Sequence, residues 1–427
     1  MKKTKLLVLS ILGALTLAGC GESGVQEGEL PSGGTEVDLT TEAGQAVLKE
    51  RMSATEKAYS DLELASVSFT GKTSDVKAAL AFAAESDAFG GAMSLNANVN
   101  GFGSKLEVKA AKHAKGANDK YDTADASVVA ETTGGSLSFK GSLPGEVDAT
   151  TGQVKGTAAI DTTLSLKGLS AAAYLTGNKE YVDVSNCAGF ATNLDTFANK
   201  LFGQLKTSAF GSMIAGMLPT TMFDAQTESF KFASMYNEFT PKKAYVELDQ
   251  AIEWPTFTAE ATTTATTETE EESGLDLDLN QIATMAANYG IGFTFVTYED
   301  NAFGFTVTVT KDSIKTIISQ LAGSEATQVN AYVDKYLTKF SVEASAYFNK
   351  NYLLESAGFA FDFAAKMTSL ADINPAYAQM FKSFNFEVSA SGSESFELKY
   401  NNVSVSLPSA SELAKYQKVE SASLNVL

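Results

Sequence analysis

The chain has 427 residues, with 51 acidic against 32 basic side chains and a formal net charge of −19. Its only arginine is Arg51, so the clustered Lys/Arg surface that neutralises nucleic-acid phosphates is missing, and docking on anionic lipid headgroups is disfavoured. One histidine and two cysteines leave too few ligands for a Cys/His zinc site and no disulfide framework, so the fold must rest on its apolar core.

Residues 1–20 read MKKTKLLVLSILGALTLAGC. Lys2, Lys3 and Lys5 precede an apolar run over residues 6–17 and the small pair Ala18-Gly19, the three-part layout of a secretory signal peptide. The run is too short to span a bilayer, which takes about 20 apolar residues. Leu17-Ala18-Gly19-Cys20 resembles the lipobox of bacterial lipoproteins. The resemblance implies cleavage between Gly19 and Cys20, diacylglyceryl transfer to the Cys20 thiol and acylation of the new amine. Two or three acyl chains, at about 0.8 kcal/mol per buried CH₂, hold a soluble domain to a membrane where one chain binds only marginally. The expected location is therefore the bacterial cell envelope, lipid-anchored and exposed outside the cytoplasm. Removing this leader takes away three lysines and no acid, which moves the net charge from −19 to −22.

Residues 20–38 are expected to form the lipid anchor and a flexible acidic tether, rich in Gly, Ser and Glu without an aromatic residue. As a coil the tether would reach roughly 20–25 Å. Residues 39–418 are expected to form a single sheet-rich domain, with a Thr/Glu-rich loop at 257–273 and a C-terminal tail at 419–427. The domain begins with a predicted helix over 41–59, with Thr40 or Thr41 as N-cap. From 62 to 184 the period changes to two, and LELASVSFT, VKAALAFAA, AMSLNANV, SKLEVKAA, GSLSFKG, AAIDTTLSLKG, AAYLTG and KEYVDVS read as successive strands. Gly177-Asn178 and the stretch from Asp148 to Gly152 have hairpin chemistry. A helix over 190–217 follows, with Met213, Met217 and Met222 in a flexible apolar cluster that is either a lid over a lipid-sized cavity or core packing. A second helix is predicted over 227–236, and a strand over 244–248.

In the segment 257–273 Glu268, Glu270, Glu271 and Glu272 are uncompensated by any base, as expected of a solvated loop. Beyond it the alternation is clearest. Phe303, Phe305, Val307 and Val309 share a face, and predicted helices over 312–321 and 325–336 follow. Phe340, Val342, Ala344 and Ala346 then face one way, as do Phe359, Phe361 and Phe363, then Phe384, Phe386 and Val388, and then Phe396, Leu398 and Tyr400. Such a Phe-rich dry face must be covered by helices or filled by an apolar ligand. The candidate lining residues are Met213, Met217, Phe305, Phe340, Phe359, Phe361, Phe363 and Phe386.

A search for chemistry ends in eliminations. His113 lies in the lysine-rich stretch KAAKHAKGANDK, Gly101-Phe102-Gly103 lacks the third glycine of a dinucleotide loop, and no G-x-S-x-G elbow occurs. Ser74 and Lys77 have the spacing of penicillin-binding enzymes without the companion elements. Asp276 and Asp278 open a calcium-loop pattern that fails at Gln281 and Ala287. No catalytic set, metal site or cofactor is expected.

The element order adds a resemblance. The strand pair AAAYLTGNKEYVDVSN, the strand-to-helix step TYEDNAFGFTVTVTKDSIKTIISQ, the hairpin KFSVEASAYFNKNYLLESAGFAFDF and the terminal FELKYNNVSVSLPSASE are similar to the Lol-type lipoprotein carriers and related glycolipid-carrier lipoproteins. The resemblance spans approximately residues 41–418. It implies an α+β fold in which a large curved antiparallel sheet, half-barrel-like, has helices covering its apolar concave face, where lipid chains are received. Two functions are open on the sequence. One is an anchored envelope lipoprotein that binds or carries a lipid or other apolar ligand. The other is a non-catalytic structural or interaction lipoprotein with a packed core and an acidic partner-binding surface.

Overall fold

The structure, a computed structural model, describes residues 30–115, 122–148, 150–211, 221–238, 240–254, 286–371 and 374–420. Residues 1–29, which include Gly19 and Cys20, lie outside the described residues, as do Met213, Met217 and the segment 257–273.

The first half contains β1 (Thr35–Glu36), α1 (Glu42–Ser60), β2 (Ser66–Ser86), β3 (Gly91–His113), β4 (Thr123–Val147), β5 (Val154–Ser165), β6 (Ser170–Thr176), β7 (Lys179–Asp183) and α2 (Ala188–Lys206). A two-stranded ribbon of β8 (Phe223–Asp224) and β9 (Ser229–Phe230) follows, then α3 (Phe232–Glu238) and β10 (Lys243–Glu247). The second half contains β11 (Gly292–Thr297), β12 (Phe303–Thr310), α4 (Lys311–Leu321), α5 (Ala326–Tyr336), β13 (Leu337–Phe348), β14 (Leu354–Met367), α6 (Pro375–Ala378), β15 (Ser383–Tyr400), α7 (Ala410–Leu413) and β16 (Gln417–Lys418).

The fold is α+β, built on one open fourteen-stranded sheet in the order β1-β11-β12-β13-β14-β15-β2-β3-β4-β6-β7-β10-β16, with β5 also paired to β4. Every pairing is antiparallel except β10 with β16. The helix boundaries follow from local chemistry. Thr41 caps α1 by accepting the Gly44 N–H at 3.1 Å, and Thr310 and Ser313 form a reciprocal capping box at the start of α4. The two-residue turn Gly177-Asn178 joins β6 to β7, with Gly177 at φ 57, and Asp148 to Gly152 lie in the β4–β5 connection.

Several strands expected to be separate are continuous. LELASVSFT and VKAALAFAA belong to the 21-residue β2, and AMSLNANV and SKLEVKAA to the 23-residue β3. The polar groups between them are bulges. Register shifts fall at Thr73/Val76 in β2, at Asn100/Gly103 in β3 and at Ser391/Ser393 in β15, all at the same level of the sheet. Asp75 (φ 51), Gly101 (φ 60) and Gly135 (φ 106) take left-handed or related backbone there. An extra residue in each bulge reverses the alternation. The stripe of Phe69, Gly71 and Thr73 continues as Val76, Ala78 and Leu80 on the same face. A strand whose phase switches in mid-course reads as two strands.

This crease also divides the sheet. Below it, residues 136–147 of β4 pair with β5; above it, residues 126–131 of β4 pair with β6. The chain crosses between the levels at Leu166, whose N–H donates to Gly135 O at 2.9 Å, and Leu169, whose N–H reaches Thr132 Oγ1 at 3.0 Å. The outer edge of β5 is engaged from α2. Gln204 accepts the Asp161 N–H at 3.1 Å and donates its own amide to Asp161 O at 3.2 Å.

Two other expectations are corrected. The helix predicted over 190–217 ends at Lys206, and Ser208 forms an isolated bridge with Gly145. The helix predicted over 227–236 starts only at Phe232, because Phe223 and Phe230 pack on Phe202 as a small ribbon.

A Cβ added at Gly135 would sit 2.5 Å from Phe102 Cα, at a φ of 106 that side chains rarely adopt. Gly135→Ala is expected to lower the unfolding free energy by about 2–4 kcal/mol. Gly177→Ala, at φ 57 with open space around it, is expected to cost only about 1 kcal/mol. Urea titration of the two variants checks the difference, and equal losses would mean that the crease tolerates a side chain.

Candidate functional site

Register assigns the phenylalanines to one face. Phe295, Phe305, Ala346, Ala357, Phe396, Gly71, Leu106, Ala130 and Ala171 form a cross-strand row from β11 to β6. Below the crease a second row runs Phe340, Phe363, Ala390, Ala78, Val99, Leu137, Leu164. Directly opposed residues in a pleated sheet point the same way, so Phe305, Phe340, Phe359, Phe361, Phe363 and Phe386 all lie on this face. The opposite face is wet and carries the ion pairs Lys339–Asp362, Lys366–Glu387 and Lys109–Glu107.

Covering elements sit at the corners of the apolar face. At one end Leu48 of α1 packs with Phe295 and Phe303, both essentially inaccessible, with Phe303 stacked on Phe348 at 4.6 Å. Arg51 anchors that helix, donating to Tyr352 Oη at 3.0 Å and to Asn301 Oδ1 at 3.3 Å, across two strand connections. At another corner Phe197 of α2 meets Phe139, with centroids 6.0 Å apart. At a third, Trp254 is buried against Ala110, Ala126 and Leu175, and its indole N–H donates to Leu64 O at 2.7 Å.

Between these corners the face is covered incompletely. Phe305, Phe340, Phe361, Phe363 and Phe386 are half-buried, and Phe359 is 37% exposed. Leu80, Phe82, Leu95 and Val388, in the same stripe, are half-buried too. The corners are fixed by burial, while the middle keeps apolar area available. At the lower end Phe82, Phe384, Phe381 and Phe89 form a chain of ring contacts that ends at the exposed Phe89, beside the exposed Met380.

A polar row interrupts the middle at the crease, where Glu394, Thr73, Ser104 and Thr132 oppose one another across β15, β2, β3 and β4. Glu394 opposes Phe359 on one side and Thr73 on the other, and is 4% exposed. Thr73 Oγ1 donates to its Oε1 at 3.3 Å, and burial pushes the carboxyl above the usual carboxylate range. Sequence reasoning passed over Glu394, although the signal was there. It occupies the even-numbered phase shared by Phe384, Phe386, Val388, Phe396, Leu398 and Tyr400.

The remaining reactive residues are spread out. His113 ends β3, largely exposed, with Nδ1 at 3.3 Å from Asp125. Cys187 is half-buried and its thiol donates to Ser170 O at 3.1 Å. Ser74 opposes Ser393 in the crease, while the Lys77 ammonium sits 2.5 Å from Asp75. Among the described residues no group of three or more His, Cys, Asp or Glu could hold a metal ion, and no helix is long and apolar enough to cross a membrane.

No family model and no curated protein matches the chain. A solved structure, a β-barrel-like protein of a domain of unknown function from Brucella abortus, aligns over 79% of this chain and 100% of its own at 8% identity and a TM-score of 0.10. A likeness this slight carries no argument about fold or function.

The contrast between corner and middle is measurable. Phe303→Ala should cost about 3–5 kcal/mol of stability. Phe359→Ala, at a residue already 37% exposed, should cost less than about 1 kcal/mol. Chemical denaturation of both variants decides, and a large loss for Phe359→Ala would mean that the middle is packed core.

Proposed function

We propose that this protein is a membrane-anchored envelope lipoprotein that holds a lipid or other apolar ligand against the phenylalanine face of its sheet. The observation that carries the reading is the pair of apolar rows, one on either side of the crease, whose phenylalanines stay half-buried while the corners are sealed by α1, α2 and Trp254. An open apolar area of this extent is a binding surface or a liability. Aromatic and aliphatic side chains with few polar groups suit an acyl chain, which asks for area rather than hydrogen bonds.

The role of the chain's own residues in this reading is simple. Phe305, Phe340, Phe361, Phe363 and Phe386 supply the area. The crease turns the lower part of the sheet relative to the upper, so that a long ligand meets both levels. The wet face keeps its ion pairs in water. No bond is made or broken.

Anchoring belongs to the same proposal. Cys20 would be acylated and residues 1–19 removed, leaving the domain on a tether outside the cytoplasm. Cys20→Ser is expected to shift the protein from the membrane to the soluble fraction or to leave it unprocessed, as read by fractionation and intact-mass measurement. Unchanged membrane retention after removal of residues 1–19 would exclude a lipid anchor.

Ligand binding is tested separately. Native mass spectrometry of gently purified protein is expected to detect bound lipid beyond the Cys20 acyl groups, and Phe361→Asp should remove it. Protein that carries no lipid and binds no apolar fluorophore would instead favour the structural or interaction lipoprotein with a packed core.

A further inference from the structure

Glu394 is unusual for its place. A carboxylate has acceptor capacity for about four hydrogen bonds, and a buried one is normally matched by a cation or several donors. Here the described residues supply one hydroxyl, Thr73 Oγ1 at 3.3 Å, and no lysine or arginine within ion-pair distance. On the strands beside Glu394, Lys366 of β14 pairs with Glu387 and Lys77 of β2 with Asp75.

On β14 and along β15 the neighbours of Glu394 on its own face are apolar or very small. Phe359 lies across β14, Gly392 and Phe396 lie two positions away along β15, and Phe361 and Ala357 flank Phe359. Next to Thr73 stands Ser104 of β3, which opposes it in register. The carboxyl therefore stands at mid-length of the apolar stripe, at the crease, with polar neighbours on one side only. For folding alone an apolar residue would serve better at this in-phase position. For binding, the same group would give an otherwise greasy surface a single point of charge recognition.

We propose that Glu394 is the polar anchor of the apolar face and selects an amphiphile that carries a primary amine, with the ammonium at Glu394 and Thr73 and the chain along the phenylalanines. This rests on the apolar-ligand reading above and adds the class of the ligand's polar group. An ammonium supplies three donors and the missing positive charge in one group. A carboxylate-headed amphiphile would set like charges together and is rejected. An alcohol supplies one donor and no charge, and stands between the two.

The test uses the full chain carrying Cys20→Ser and an apolar neutral fluorophore, N-phenyl-1-naphthylamine, displaced by dodecylamine, dodecanol and dodecanoate. The expected result is displacement by dodecylamine at a concentration at least about tenfold below that of dodecanol, with dodecanoate weaker than both. Glu394→Gln keeps the size and the hydrogen-bond acceptor and removes the charge. It should bring dodecylamine to within about twofold of dodecanol and leave dodecanol unchanged. Glu394→Asp keeps the charge and should retain a preference of intermediate size, which protects the test if Glu394→Gln does not fold. Equal displacement by amine and alcohol in the Cys20→Ser chain overturns the proposal, and so does an amine preference that survives in Glu394→Gln. Displacement by dodecanol with no amine preference overturns the anchor alone. No displacement by any of the three compounds overturns the apolar-ligand reading and the anchor with it.

Discussion

The crease across β15, β2, β3 and β4 is the constraint on which the architecture depends. Three strands of 21 to 25 residues would form a continuous twisted ribbon if their alternation were unbroken. Bulges aligned at Thr73/Val76, Asn100/Gly103 and Ser391/Ser393 concentrate the bending in one line. Gly135 allows the backbone of β4 to pass close to Phe102, where a Cβ would collide. Because β4 bends there, its outer edge offers two pairing sites at different levels, taken by β5 and β6. The positions of α2, of the β6–β7–β10 extension and of Trp254 all follow from that division.

Much of the second half was legible in the sequence. Phe303 to Val309, Phe340 to Phe348 and Phe359 to Phe363 alternate without interruption, and the register keeps each group on one face. Thr41 announced its helix because capping is local chemistry. The first half was less legible for a physical reason. Ser74-Asp75 and Asn100-Gly101 have turn composition, but a bulge needs the same left-handed residues as a turn, and only cross-strand pairing tells them apart. The roles of Arg51 and Trp254 were hidden as well. Arg51 meets partners 250 and 301 residues away, and Trp254 bonds to a carbonyl 190 residues away.

Electrostatics has a divided part. The surface ion pairs join exposed or half-exposed partners, such as Lys382 with Asp87 and Lys57 with Asp61, and each adds little to stability. Where burial is deeper the groups are fewer and better tied. Asp183 is held below the usual carboxylate range despite its desolvation, by bonds from Ser185 and Lys243, and Tyr416 closes over it. Tyr400, half-buried and bonded to Tyr59 across the end of α1, is pushed well above the usual phenol range. Glu394 is the exception, buried with one donor.

The amide of Gln204 carries a consequence for how such a molecule survives at high local concentration. An open sheet ends in rows of free N–H and C=O groups that invite pairing with another copy. Here the terminal strands β1 and β16 are two residues long, too short to template a neighbour. The long edge is β5, and its midpoint at Asp161 is occupied by a side chain that imitates a passing strand. A two-atom plug from α2 thus withholds the backbone at the midpoint of that edge from pairing with a second strand.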